Sequence, residues 1–78
     1  MSRIEKLLEK FQSKPETVRY TDLESILLHV GCEKVSMKGS HVKFKHRKLR
    51  FDIVIPVHKN ECKPFYKKQV LKQITKLL

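Results

Sequence analysis

Apolar residues recur along this chain with two periods, and the change from one to the other divides it. Ile4, Leu7, Leu8 and Phe11 stand at i, i+3, i+4 and i+7, with Glu5, Lys6, Glu9 and Lys10 on the other side. That spacing predicts an amphipathic helix over residues 2–11, ending before Pro15 because the residue preceding a proline avoids helical angles. Residues 13–18 read as a linker. Thr21 and Glu24 have the spacing of a capping box at the start of a second helix. Its apolar face is Leu23, Ile26, Leu27 and Val30, and Gly31 is its expected C-terminal stop.

From Cys32 onward the period is 2. Val35 and Met37, then Val42 and Phe44, then Leu49, Phe51, Ile53 and Ile55 alternate with polar residues. This predicts three antiparallel strands joined by turns at Lys38-Gly39 and Arg47-Lys48. Those turns would set Val35 opposite Val42, Ser36 opposite His41, Phe44 opposite Phe51 and Lys43 opposite Asp52. Both registers sort apolar pairs to one face, as a half-buried sheet requires. The polar face then carries Lys34, Ser36, His41, Lys43, Lys45, Arg50 and Asp52. Pro56 ends the third strand or places it on an edge. After a polar loop over residues 58–63, Pro64 starts a last helix. Phe65, Val70, Ile74 and Leu77 or Leu78 are its apolar positions, and Lys67, Lys68, Lys72 and Lys76 its solvent face. The fold class is therefore α+β: a three-stranded antiparallel sheet with helices packed on one face.

Length and charge narrow the function. Seventy-eight residues suit a single domain, with residues 1–14 as a helical extension and 20–78 as the core. Eighteen basic residues against eight acidic give a net charge of +10, which points to a polyanionic or acidic partner. Two cysteines, Cys32 and Cys62, are too few for a secreted disulfide framework, and no apolar run approaches the ~20 residues of a membrane span. A reducing cytoplasm is the expected setting, without a membrane partner. Cys32, His46, His58 and Cys62 do not show a close ligand pair of the metal-site type, so no metal and no small-molecule cofactor is expected.

The chemistry concentrates at Lys38-Gly39-Ser40-His41. A glycine turn there sets one imidazole at the start of a strand, with Lys43, Lys45, Arg47, Lys48 and Arg50 close behind. Imidazole is the side chain suited to taking or giving a proton near neutrality, and cations stabilise a crowded phosphorane. His41 is thus the candidate acid/base, and Lys38, Ser40, Lys43, Lys45, Lys48 and Arg50 are the candidate RNA contacts. His29 and His46 read as structural; His58 is more open and reads first as a plain surface residue, with a second proton donor or RNA contact as the lesser alternative.

Gly31-Cys32 after a helix, Lys38-Gly39-Ser40-His41 followed by Phe44, Ile55-Pro56-Val57-His58, and a lysine-rich final helix together resemble the HicA-type toxin family. The resemblance covers roughly residues 20–78. It implies a double-stranded-RNA-binding-domain-like fold, metal-independent endoribonuclease activity on mRNA with His41 catalytic, and a cognate HicB-type antitoxin as partner. Residues 2–11 precede the usual family start, and the 58–63 loop lacks the glycine often found after the Pro-x-His. Two alternatives use the same residues. One is a non-catalytic RNA-binding module or inactivated toxin. The other is a protein-interaction domain that docks a partner or second copy through Ile4, Leu7, Leu8 and Phe11.

Overall fold

The computed structural model describes residues 2–78, with the side chains of residues 36–38 outside that description. Helix α1 (Arg3–Ser13) begins where the Ser2 hydroxyl accepts the Glu5 N–H at 3.3 Å. It runs beyond Phe11 to Ser13, which a one-sided apolar pattern does not mark. Phe11 is fully buried, and Ile4, Leu7 and Leu8 pack against the same core. The helix covers the core rather than standing free, so its apolar face is spent inside the molecule. The expected linker is a short 3₁₀ turn, Pro15–Thr17, that delivers Val18 into the core.

Helix α2 (Tyr20–His29) starts one residue before the expected capping box, with Arg19 at its N-cap and no local side-chain cap. The cap comes from a distance: Glu61 Oε1 accepts the Tyr20 N–H at 3.1 Å. The C-terminus is a Schellman motif. The Cys32 N–H donates to Leu27 O, the Gly31 N–H to Leu28 O, and Gly31 takes φ +100°.

Strands β1 (Glu33–Lys38), β2 (His41–Lys45) and β3 (Ile53–Pro56) form one antiparallel sheet in the order β1-β2-β3. Both expected registers need correction. The first turn is Gly39-Ser40, so Lys38 rather than Ser36 faces His41, and Met37 rather than Val35 faces Val42. Gly39 at φ +62° leads the two-residue loop, the place where a glycine relieves the strain of a hairpin. A bulge between Lys34 and Ser36 then shifts the remaining pairs, setting Lys34 opposite Phe44. Val35, expected in the core, is half-exposed there, and Lys34 leaves the outer face to reach Glu24 of α2 at 3.4 Å.

The second turn does fall at Arg47-Lys48, closed by the Leu49 N–H donating to His46 O. Pairing resumes late, with Phe44 opposite Ile53 rather than Phe51, and Lys43 opposite Val54 rather than Asp52. A slip of two residues preserves the faces, so period alone cannot detect it. Its consequence is that Phe51 is 76% exposed and Leu49 packs from a loop. Pro56 ends β3, which is also an edge strand.

Helix α3 (Pro64–Thr75) starts at its proline as expected. Val70 and Ile74 are buried, but Phe65 is 65% exposed and Lys67 is only 5% exposed, the reverse of their expected roles. The core joins residues of all three helices to Val42 and Phe44 of β2 and Ile53 and Ile55 of β3. All helices therefore cover one side of the sheet, and the other side is open.

Candidate active site

Alternation along β2 sets the outer face. Val42 and Phe44 are fully buried, so His41, Lys43 and Lys45 project to the other side, with His41 and Lys45 exposed. The rise of a strand puts Lys43 roughly 7 Å and Lys45 roughly 13 Å from His41 along the chain. Val54 of β3 flanks Lys43, and Pro56 pairs with His41. The Gly39-Ser40 loop and the Val57 N–H, which donates to Ser40 O at 2.6 Å, fix the start of β2. The imidazole is thus held by backbone pairing on both sides of the strand.

The expected RNA contacts divide into two groups. Ser40 and Lys43 lie near His41, whereas Lys45 and Lys48 line a cavity of about 550 Å³ at the far end of β2, with Arg47, Glu33 and Gly31. Arg50 is exposed on the connection before β3. Lys38 is paired to His41 through its backbone, while its side chain, like that of Ser36, lies outside the described residues. The neighbouring Ser36 hydroxyl expected beside His41 is thereby outside the description too, and the register places Ser36 opposite Lys43 instead.

His46 is structural, as its parity suggested. Its Nε2–H donates to Val30 O at 3.1 Å while Nδ1 accepts the Lys48 N–H at 3.0 Å, a neutral tautomer that ties the β2–β3 turn to the end of α2. His58 is exposed and opens a two-residue turn in which Lys59 and Asn60 have φ of 53° and 61°. His58 and Glu61 exchange both backbone hydrogen bonds across it. Two left-handed residues are what a type I′ hairpin demands, so this loop does without glycine by placing lysine and asparagine there. The turn brings His58 to a second cavity of about 490 Å³, shared with Ser40, Val57, Lys63, Pro64 and Tyr66.

Glu61 is the structural residue that the sequence pattern did not mark. Its Oε1 accepts from the Tyr20 N–H, the Cys62 N–H and the buried Lys67 ammonium, the last two at 3.0 Å. Burial pushes its carboxyl upward. The Cys62 N–H, Lys67 and the Tyr20 N–H together outweigh that and hold it below the ordinary carboxylate value. The Tyr20 phenol is buried without a hydrogen-bond partner, and burial first, then the Glu24 carboxylate, raise its pKa. Burial likewise raises the thiols of Cys32 and Cys62, with Lys67 opposing it at Cys62, so both stay protonated and poorly nucleophilic. Among the described residues no three His, Cys, Asp or Glu side chains gather as metal ligands, and no helix is long and apolar enough to cross a membrane.

The class defined by these features is a small, strongly basic α+β domain with an imidazole on the uncovered face of its sheet. Residues 20–75 match the family described as HicA toxin of bacterial toxin-antitoxin systems, and the chain belongs to that family. No individual curated protein and no solved structure matches it. The family match begins at Tyr20, the first residue of α2, and leaves α1 outside it.

Proposed function

We propose that this toxin is a metal-independent endoribonuclease acting on mRNA in the cytoplasm, with His41 as its general acid/base. One observation carries the reading: an exposed imidazole at the start of β2, in line with Lys43 and Lys45 on the uncovered sheet face. In the reaction the 2′-hydroxyl of the RNA attacks the adjacent phosphorus, and a base removes its proton. The bond to the 5′-oxygen breaks, and an acid protonates that leaving oxygen. The products are a 2′,3′-cyclic phosphate and a 5′-hydroxyl. His41 performs one of the two transfers, and His58 or water performs the other.

Lys43 is close enough along the strand to serve the same phosphate as His41, where a cation stabilises the extra negative charge of the transition state. Lys45, Lys48 and Arg50 are too far along to do so. They bind other phosphates, and they hold the RNA along the direction of β2. Ser40 and Lys38 complete the contact surface at the other end. A cognate antitoxin of the HicB type neutralises the enzyme by covering this face, where the half-exposed Val54 adds apolar area to a cationic surface.

Expression in a bacterial host without antitoxin tests the reading. The wild type is expected to arrest growth and shorten cellular mRNA. His41→Ala, an exposed substitution worth within about 0.5 kcal/mol of stability, is expected to fold and leave growth and mRNA intact. Growth arrest by His41→Ala equal to that of the wild type would remove the histidine from the mechanism.

A further inference from the structure

The cavity beside Ser40 and His58 has walls of a different kind from the rest of the basic surface. Its volume of about 490 Å³ lies in the range of small-ligand sites. Pro56, Val57, Pro64 and the half-buried Tyr66 give it apolar walls, and the exposed His58 adds a flat ring at the rim. Glu61 is the one acidic residue in the lining, and its Oε1 is already engaged by Tyr20, Cys62 and Lys67. Lys63 contributes a cation at the edge, and Lys59 stands in the adjoining turn.

We infer that this cavity is a nucleobase subsite, in which a base of single-stranded RNA next to the cleaved phosphate stacks on Tyr66. The inference rests on the ribonuclease reading above and deepens it by giving the substrate a strandedness. Three features favour a base over other occupants. Ser40 belongs to the cavity and precedes His41 in the chain, so the cavity opens at the same end of β2 as the residue that carries the imidazole. The aromatic wall is held in place: Phe65 meets Tyr66 edge-on, with ring centroids 5.2 Å apart and planes at 85°. Lys63 and Lys59 are placed to meet the flanking phosphates, which a free apolar molecule would not require. A base paired in a duplex cannot enter such a recess, so the substrate is unpaired at this position.

The Glu61–Lys67 pair pins the first turn of α3 against the His58–Glu61 hairpin, and so fixes the width of the cleft between them. Base selectivity would follow from Tyr66, which acts on binding, and not from His41, which acts on the bond.

Binding of short oligoribonucleotides by the full chain carrying His41→Ala, followed by fluorescence anisotropy, separates the possibilities. The probes are unstructured base-bearing strands and an abasic ribose-phosphate strand of equal length. Base-bearing RNA is expected to bind about tenfold more tightly, which is ~1.4 kcal/mol and within the range of one stacked base. Adding Tyr66→Leu is expected to erase that difference and leave abasic binding unchanged, while Tyr66→Phe restores it. An unaltered preference in Tyr66→Leu would overturn the subsite. Failure of both strands to bind would overturn the RNA reading itself. As a check free of any change at Tyr66, 4-thiouridine RNA photocrosslinked to the otherwise unaltered chain is expected to label residues 56–66. Labelling confined to other segments would also overturn the inference.

Discussion

Gly31 illustrates how a single residue couples two elements. Its φ of +100° is open to glycine and strained for any other residue, and a Cβ there would meet His46 Nε2 at 3.1 Å. That imidazole cannot retreat without giving up Val30 O or the Lys48 N–H. Gly31→Ala is therefore expected to destabilise the fold by about 2 kcal/mol, combining left-handed strain with a displaced side chain. Urea denaturation would measure it, and a loss below about 0.5 kcal/mol would show that the His46 latch yields freely. The glycine stop was legible in the sequence because helix termination is local. The His46 contact was legible only as a parity, since nothing in the chain announces that residue 46 returns to residue 30. His41 stood out for the opposite reason: a glycine turn, alternation and charge all surround it within a few positions.

At the scale of elements, the period-2 pattern identified the strands and their buried faces, but turns decided their register. The first loop closed one residue later than expected, which shifted the pairing by two, and the bulge between Lys34 and Ser36 took back one, leaving Lys34 opposite Phe44. The second loop took up Arg50, Phe51 and Asp52 before pairing resumed at Ile53. Neither change moves His41, Lys43 or Lys45 off the outer face. The Lys67 assignment failed because helical spacing cannot foresee a carboxylate supplied by a neighbouring hairpin. Glu61 joins that hairpin to the starts of α2 and α3, and its lowered pKa carries a pH dependence. A carboxyl held below its unfolded value, ordinarily about 4.3, adds stability that is fully present above that pH. The contribution is lost as pH falls through the lower folded value. Glu61→Gln is expected to cost about 1–3 kcal/mol at neutral pH, because it leaves the Lys67 ammonium buried opposite a neutral amide. Half of Glu61 faces solvent, which keeps the figure below that of a fully buried pair. The difference between variant and wild type should shrink below about pH 4. A difference constant from pH 7 to 3 would contradict the ionic role of Glu61.

Over the whole molecule, helices seal one side of the sheet and leave a cationic face on the other. The net charge is +10, and the ion pairs formed among the described residues are Arg3–Asp22, Lys34–Glu24 and Lys67–Glu61. The first two are exposed enough to add little stability. On the proposed ribonuclease reading, affinity for single-stranded RNA should fall steeply with salt. Helix α1, outside the family match, buries Phe11 beneath this assembly and stands away from the open face. The architecture divides the chain: helices and hairpin pack around one side of the sheet, and β2 carries the imidazole on the other.

The most direct test is cleavage of end-labelled single-stranded RNA by purified protein in the presence of EDTA. The wild type is expected to cut and to leave 2′,3′-cyclic phosphate and 5′-hydroxyl ends, while folded His41→Ala leaves the RNA whole. Equal cleavage by both proteins, or cutting by the wild type only after divalent metal is restored, would contradict the account.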